Sequence, residues 1–199
     1  MTPNPERRNA MRLSLLVAAL NSIPFSAARG AADQKSKEHA AMTDDPIHDF
    51  DLFFGSWRAQ HRRLKARLAN NNEWIEFDGT STMQPLLGGY GNMDDNVFNM
   101  PGGAYRGVSV RALDPKTKTW AIWWLDGRDP HTIDVPVIGT FKDGVGAFYA
   151  DENFNGKPIK VRFLWSRITP TSRQWEQAFS PDGGKTWETN WVTNFIKMA

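Results

Sequence analysis

From Trp57 onward, apolar and polar side chains alternate with period two, in short runs separated by Gly, Pro, Asn and Asp. A period of two puts successive side chains on opposite faces of an extended chain. The alternation predicts strands over 57–64, 74–83, 96–99, 106–113 and 119–126. Further strands are predicted over 137–141, 146–149, 159–167, 174–179 and 187–196. Turn chemistry punctuates them, as in Asn70-Asn71-Asn72 and Asp114-Pro115-Lys116-Thr117-Lys118. About nine or ten short strands with almost no helical periodicity predict an all-β domain. A single antiparallel up-and-down β-barrel is the expected form, because closure removes the exposed edges of a long meander. Residues 47–54, which include His48, Phe50, Phe53 and Phe54, predict a short helical turn that plugs one end before the first strand. No repeat of fixed period is visible, which argues against a propeller or a solenoid.

The N-terminus follows a different pattern. A charged start leads into the apolar run 11–20, and small residues follow at Ser26-Ala27-Ala28 and Gly30-Ala31-Ala32. That order is expected of a secretory signal peptide over 1–32, with a flexible linker over 33–46 and the barrel domain over 47–199. The alternative is a plain N-terminal extension. Export to the periplasm or the medium is the expected localisation, or the cytoplasm if translation starts elsewhere and the leader is spurious. The apolar run is too short for a permanent membrane span, so no stable membrane insertion is expected.

Composition narrows the function classes. Nine Trp and 12 Phe against 3 Tyr must supply much of the core or line a pocket. The absence of Cys excludes disulfides, thiolate chemistry and Cys-ligated metals. The formal net charge is +2, of which the first 32 residues carry +3, leaving the remainder at −1. A domain so close to neutrality has no electrostatic reason to seek nucleic acid.

Several motifs together carry a family resemblance. Gly55-Ser56-Trp57 is similar to the Gly-x-Trp opening of calycins, the superfamily of lipocalins and fatty-acid-binding proteins. His48-Asp49-Phe50-Asp51, Leu87-Gly88-Gly89, Trp123-Trp124-Leu125-Asp126-Gly127 and Asp182-Gly183-Gly184-Lys185-Thr186-Trp187 complete the pattern. Over residues 47–197 the chain resembles the uncharacterised DUF1579 family. The resemblance implies a calycin-like barrel and brings no reaction with it. The basic residue that a lipocalin sets against the Trp on its last strand is matched here only by Lys197. Ser180-x-Asp182-x-Gly184-x-Thr186-Trp187 also resembles the Asp-box of sialidases, and a single copy reads as a hairpin device.

The richest chemistry lies between Trp120 and His131. On a strand, Trp124 and Asp126 share a face, and Asp126, Arg128 and His131 gather where a barrel mouth would be. They suit the polar head of a ligand or a proton transfer. The plainer role is an Asp126–Arg128 pair that fixes a loop beside an exposed His131. His61 shares a face with Trp57, so it points inward if Trp57 does. It is then a ligand contact, less plausibly a haem ligand, or simply a satisfied core histidine. Of Asp94 and Asp95, parity with Met93 and Val97 selects Asp95 for the interior. Glu176 is a candidate acid if its face is the inner one. No His spacing for a metal and no nucleotide, hydrolase or cofactor fingerprint appears, so none is expected.

Two functions follow. One is binding of a mostly apolar or aromatic small molecule by His61, Asp95, Trp124, Asp126, Arg128 and His131. The other is a cofactor-free isomerase or lyase that uses Asp/His proton transfer in the same cavity. A monomer or homodimer serves either.

Overall fold

The structure is a computed structural model and describes residues 45–199. The expected leader lies outside the described residues, as does the expected linker up to residue 44. Ten antiparallel strands form one closed up-and-down barrel. They are β1 Gly55–Leu64, β2 Trp74–Leu86, β3 Gly91–Phe98, β4 Tyr105–Asp114 and β5 Thr119–Asp126. The circuit continues through β6 Val137–Lys142, β7 Val145–Phe154, β8 Lys157–Ser166, β9 Ser172–Ser180 and β10 Glu188–Lys197. Each strand pairs with its sequence neighbours, and β1 closes on β10 with Trp57 opposite Lys197. The expected all-β barrel with a helical turn before the first strand is therefore the fold. No helix among the described residues is long and apolar enough to cross a membrane.

Two strands differ most in extent from the sequence reading: β7 runs on to Phe154 and not to residue 149, and β3 begins earlier. β3 starts at Gly91 and not at residue 96, because the glycine-rich loop is only a short 3₁₀ turn, Leu87–Gly89. The segment containing Asp94 and Asp95 is therefore in the ladder, paired with Ser109 and Val108 of β4.

Two 3₁₀ turns, Pro46–His48 and Asp51–Phe53, close one end of the barrel. Phe50 and Phe53 are fully buried there and meet edge-to-face, with ring centroids 5.0 Å apart. Gly55 enters β1 at φ +101°, a backbone region that residues with a Cβ rarely occupy, and this turns the chain into the barrel. Trp57 follows, wholly buried, and its Nε1 donates to the Phe53 carbonyl at 2.8 Å. Trp120 Nε1 donates to Pro46 O and to Asp49 Oδ2, which ties the plug to β5. Each such ring removes roughly 150–250 Å² from water, so the plug is a large part of the core.

The Asp-box segment is the hairpin device its sequence suggests. Asp182 Oδ1 accepts from the backbone N–H groups of Lys185 and Thr186, and Trp187 Nε1 donates to Gly184 O. A register shift between Thr189 and Trp191 marks a β-bulge, which places Asn190 inside, where Gln177 Nε2 donates to its side-chain oxygen at 2.8 Å.

Candidate functional site

The barrel encloses a cavity of about 120 Å³. Its wall is mainly aromatic: Phe98, Trp124, Phe163, Trp165, Trp175 and Trp191 all line it. Polar side chains are set at three levels, in that wall and beneath it, and each level has its own cause.

At the closed end, Arg173 of β9 lies over Trp57, with its guanidinium carbon 3.8 Å from the ring centre. It also faces Phe53 and Phe195, each at 4.6 Å, and donates to the Phe53 carbonyl at 3.3 Å. Burial pulls its pKa down to about 9, with nearby Asp94 opposing that shift and Arg111 adding to it. The group remains a cation at neutral pH. Lys197 also reaches Trp57, 4.7 Å from the ring, and donates to Phe54 O. The basic partner of Trp57 is thus double, and its closer half comes from β9.

Above this floor sits an ion pair inside the barrel. Arg111 Nη2 donates to Asp94 Oδ2 at 2.7 Å, and Nη1 donates to Asn92 Oδ1 at 3.2 Å. Asp94 Oδ1 accepts from Asn96 Nδ2 at 2.7 Å and from the Ser109 N–H at 3.2 Å. Burial alone would raise the Asp94 carboxyl. The Arg111 charge and the bonds from Arg111, Asn96 and Ser109 outweigh it and hold the pKa below the usual carboxylate range. Arg111 Nε is buried without a partner.

His61 occupies the next level. Its ring stacks on Phe77, with centroids 4.7 Å apart and planes 17° from parallel. Nδ1 lies 2.8 Å from Thr193 Oγ1 and 3.3 Å from Trp191 Nε1. An indole N–H can only donate, so Nδ1 is an acceptor and the ring proton resides on Nε2. That Nε2 is buried and unpaired. Burial lowers the pKa to about 4, against the pull of Asp78. His61 is therefore neutral near pH 7 and a poor match for general-base work there.

Trp124 lies toward the mouth. A Cβ on Gly107 would stand 2.2 Å from its ring, so the indole lies flat on β4 because position 107 has no side chain. At the end of β5, Arg128 Nε donates to Asp126 Oδ1 at 2.8 Å, and the guanidinium sits 3.9 Å above the Tyr105 ring. The bonds from Arg128 hold the Asp126 carboxyl below its usual range. His131 is exposed in the following turn. Asp134, from the same connection, reaches the cavity wall, and burial raises its pKa with help from Asp126.

Of the residues singled out from sequence, the structure therefore brings His61 and Trp124 to the cavity. Asp126 and Arg128 pair with each other at the end of β5, and His131 stands apart in the exposed turn. Asp95 points the other way: it is on the outer face, bonded to Arg106. The interior carboxylate is Asp94. Parity misleads here because β3 and β4 are turned polar side inward. Asn92, Asp94 and Asn96 are buried, while Met93 and Val97 face out beside Val108 and Val110. Glu176 also faces outward, opposite to Trp175, which lines the cavity. Sequence reasoning missed Arg111, Arg173 and Trp165. The one available signal was phase: Arg111 alternates with Leu113, and both are buried. Among the described residues, no group of three His, Asp or Glu side chains could hold a metal ion.

Compared with family models and with curated proteins, the chain matches none. Among solved structures it is similar to an S-type phycobiliprotein lyase from Guillardia theta, with a TM-score of 0.53 and 14% identity. That match covers 82% of this chain and 97% of the other. A redesigned β-barrel, at 11% identity and a TM-score of 0.42, covers 79% of this chain and 98% of its own. A barrel bound to DFHBI, at 11% identity and a TM-score of 0.40, covers 76% and 98%. At such identities the likeness to the lyase is one of fold.

Proposed function

We propose that this protein binds a small, mostly apolar or aromatic molecule inside the barrel. The observation that carries the reading is the unfilled space of about 120 Å³ at the centre of a closed barrel, walled by aromatic rings and set with a few fixed polar groups. Ligand sites are typically concave, mostly apolar and punctuated by a small number of oriented polar side chains. An engineered dry cavity of roughly 150 Å³ holds benzene, so a guest of one ring or a small fused pair is the appropriate scale. In this reading His61 and Trp124 form part of the wall, and Asp126, Arg128 and His131 mark the rim. The resemblance to a calycin-like barrel belongs to the same reading, as does export to the periplasm or the medium.

Intrinsic fluorescence tests it. Four indoles line the cavity, so a guest should quench or shift emission saturably. A panel of one- and two-ring aromatic compounds should yield at least one saturable response that is weakened in Trp124→Ala. No response across the panel, with the protein folded by circular dichroism, would overturn the reading.

A further inference from the structure

We propose that the cavity is entered through the barrel wall between β5 and β7, and that the connection 127–136 is the flap over this entrance. The inference rests on the ligand-binding reading above and adds the route by which a guest arrives.

The hydrogen-bonded ladder is uneven around the barrel. β6 pairs with β5 from Trp120↔Gly139 to Ile122↔Val137, and with β7 from Ile138↔Tyr149 to Lys142↔Val145. Toward the mouth, β5 runs on through residues 123–126, still paired with β4. β7 likewise runs on through residues 150–154, still paired with β8. Among the described residues no strand fills the space between these two ends. The connection 127–136 covers it instead. It is fixed to β5 by an isolated bridge, Leu125↔Ile133, and by the Asp134 N–H, which donates to Trp124 O at 3.0 Å. Asp134 and Trp124 both line the cavity, so the flap and the strand edge beneath it are part of the wall.

The flap is weakly held. Residues 127–135 are all exposed, Ile133 at 56% and Val135 at 57%, so this stretch sinks no anchor into the core. Segments with few buried apolar contacts and exposed backbone bonds open locally at small cost. The flap's cavity-side carboxylate, Asp134, has Asp126 and Glu152 as charged neighbours, and like charges oppose a tight seat. The other cover of the mouth, the connection 65–73 between β1 and β2, is built differently. Arg67 reaches across to the rings of Phe154 and Phe179, 4.9 and 5.2 Å from their centres. The Leu68 N–H donates to Glu188 Oε1 at 2.8 Å, and the Leu68 side chain packs on the core. Of the two covers, the flap is the one that lifts while the ladder stays intact.

Leu125 and Ile133 stand opposite each other, at the roughly 4.5–5.5 Å Cα spacing of an antiparallel pair, which a disulfide spans. The chain has no Cys, so the double variant Leu125→Cys with Ile133→Cys carries the only thiols. Oxidation locks its flap and reduction frees it. Nitrobenzene, a one-ring quencher of indole emission, reports entry in stopped flow. A gate sets rates and leaves affinity alone, because the closed complex is the same. Oxidation should therefore slow association and dissociation together, by at least about tenfold, with an unchanged dissociation constant. Equal rates in the two forms, or a weaker affinity at an unchanged association rate, would overturn the entrance and leave the cavity reading intact. Hydrogen exchange in the parent protein needs no guest. The Asp134 amide should exchange at least about a hundredfold faster than the amides of the β1–β10 ladder. Exchange of both only on global unfolding would overturn the flap, whatever binds. Absence of saturable quenching in either form would count against the cavity reading, and the Asp134 amide would then decide the flap alone.

Discussion

Arg111 and Asp94 meet as diagonal neighbours on β4 and β3, 2.7 Å apart, with side chains 2% and 5% exposed. An ion pair so enclosed gives little net stability against an apolar pair, yet breaking it is costly because a lone charge remains. Here the pair also turns the polar faces of two adjacent strands inward, which creates the hydrophilic side of the cavity.

Removing one member of that pair should therefore be severe. Arg111→Met should destabilise the protein by about 3–5 kcal/mol, because Asp94 is left buried with only neutral donors. The double substitution Arg111→Met with Asp94→Asn should cost clearly less than the sum of the singles. A double-mutant cycle in urea unfolding measures the difference. Strict additivity would contradict the coupling.

Acid titration provides a check on His61 and Asp49. The folded pKa of His61 lies near 4, below its ordinary 6.5. Its contribution is present above pH 6.5 and is lost as pH falls toward 4, on the order of 3 kcal/mol over that window. Asp49 has the opposite sign. Burial raises it to about 6, with Asp45 adding and the Trp120 bond opposing, so its contribution is lost as pH rises from 3.8 through 6. The two slopes offset each other between pH 4 and 6. Asp49→Asn should unmask a stability that climbs with pH across this range, and His61→Phe one that declines. Parallel unfolding curves for the two variants would refute the assignment.

Asp94 governs more acidic conditions. Its folded pKa is held below the ordinary 3.8, so its contribution is intact above about pH 4 and vanishes on further acidification. Asp94→Asn should flatten the loss of stability below pH 4 relative to the parent, as followed by thermal unfolding.

Gly107→Ala tests the shape of the mouth. The added Cβ would meet the Trp124 ring at 2.2 Å, so the indole must leave its place on β4. Overpacking of this kind costs about 1–3 kcal/mol. A shifted tryptophan emission and weakened guest binding are expected, with the barrel retained by circular dichroism. An unchanged spectrum and affinity would show that Trp124 does not shape the site.

The ladder of strands was legible because its determinants are local. The Asp114–Lys118 turn, the Asp182 device and the alternation after Gly55 each act within a few residues. The plug was legible for the same reason: Phe50, Phe53 and Trp57 form a compact apolar group beside a glycine. The site was only half legible. His61 and Trp124 share phases with buried neighbours on their own strands, whereas choosing between Asp94 and Asp95 required knowing which side of β3 is inside.

By itself, then, the amino-acid sequence determined where most of the chain extends, where it turns, and that nine or ten strands with a capped end would form one barrel. Only the tertiary structure decided which face of each strand became the interior. Burial of a charge depends on a partner delivered by another strand: Arg111 makes Asp94 tolerable inside, and the rings of Trp57, Phe53 and Phe195 do the same for Arg173. Periodicity along one strand cannot report such partners, because their stabilisation exists only once the sheet has closed.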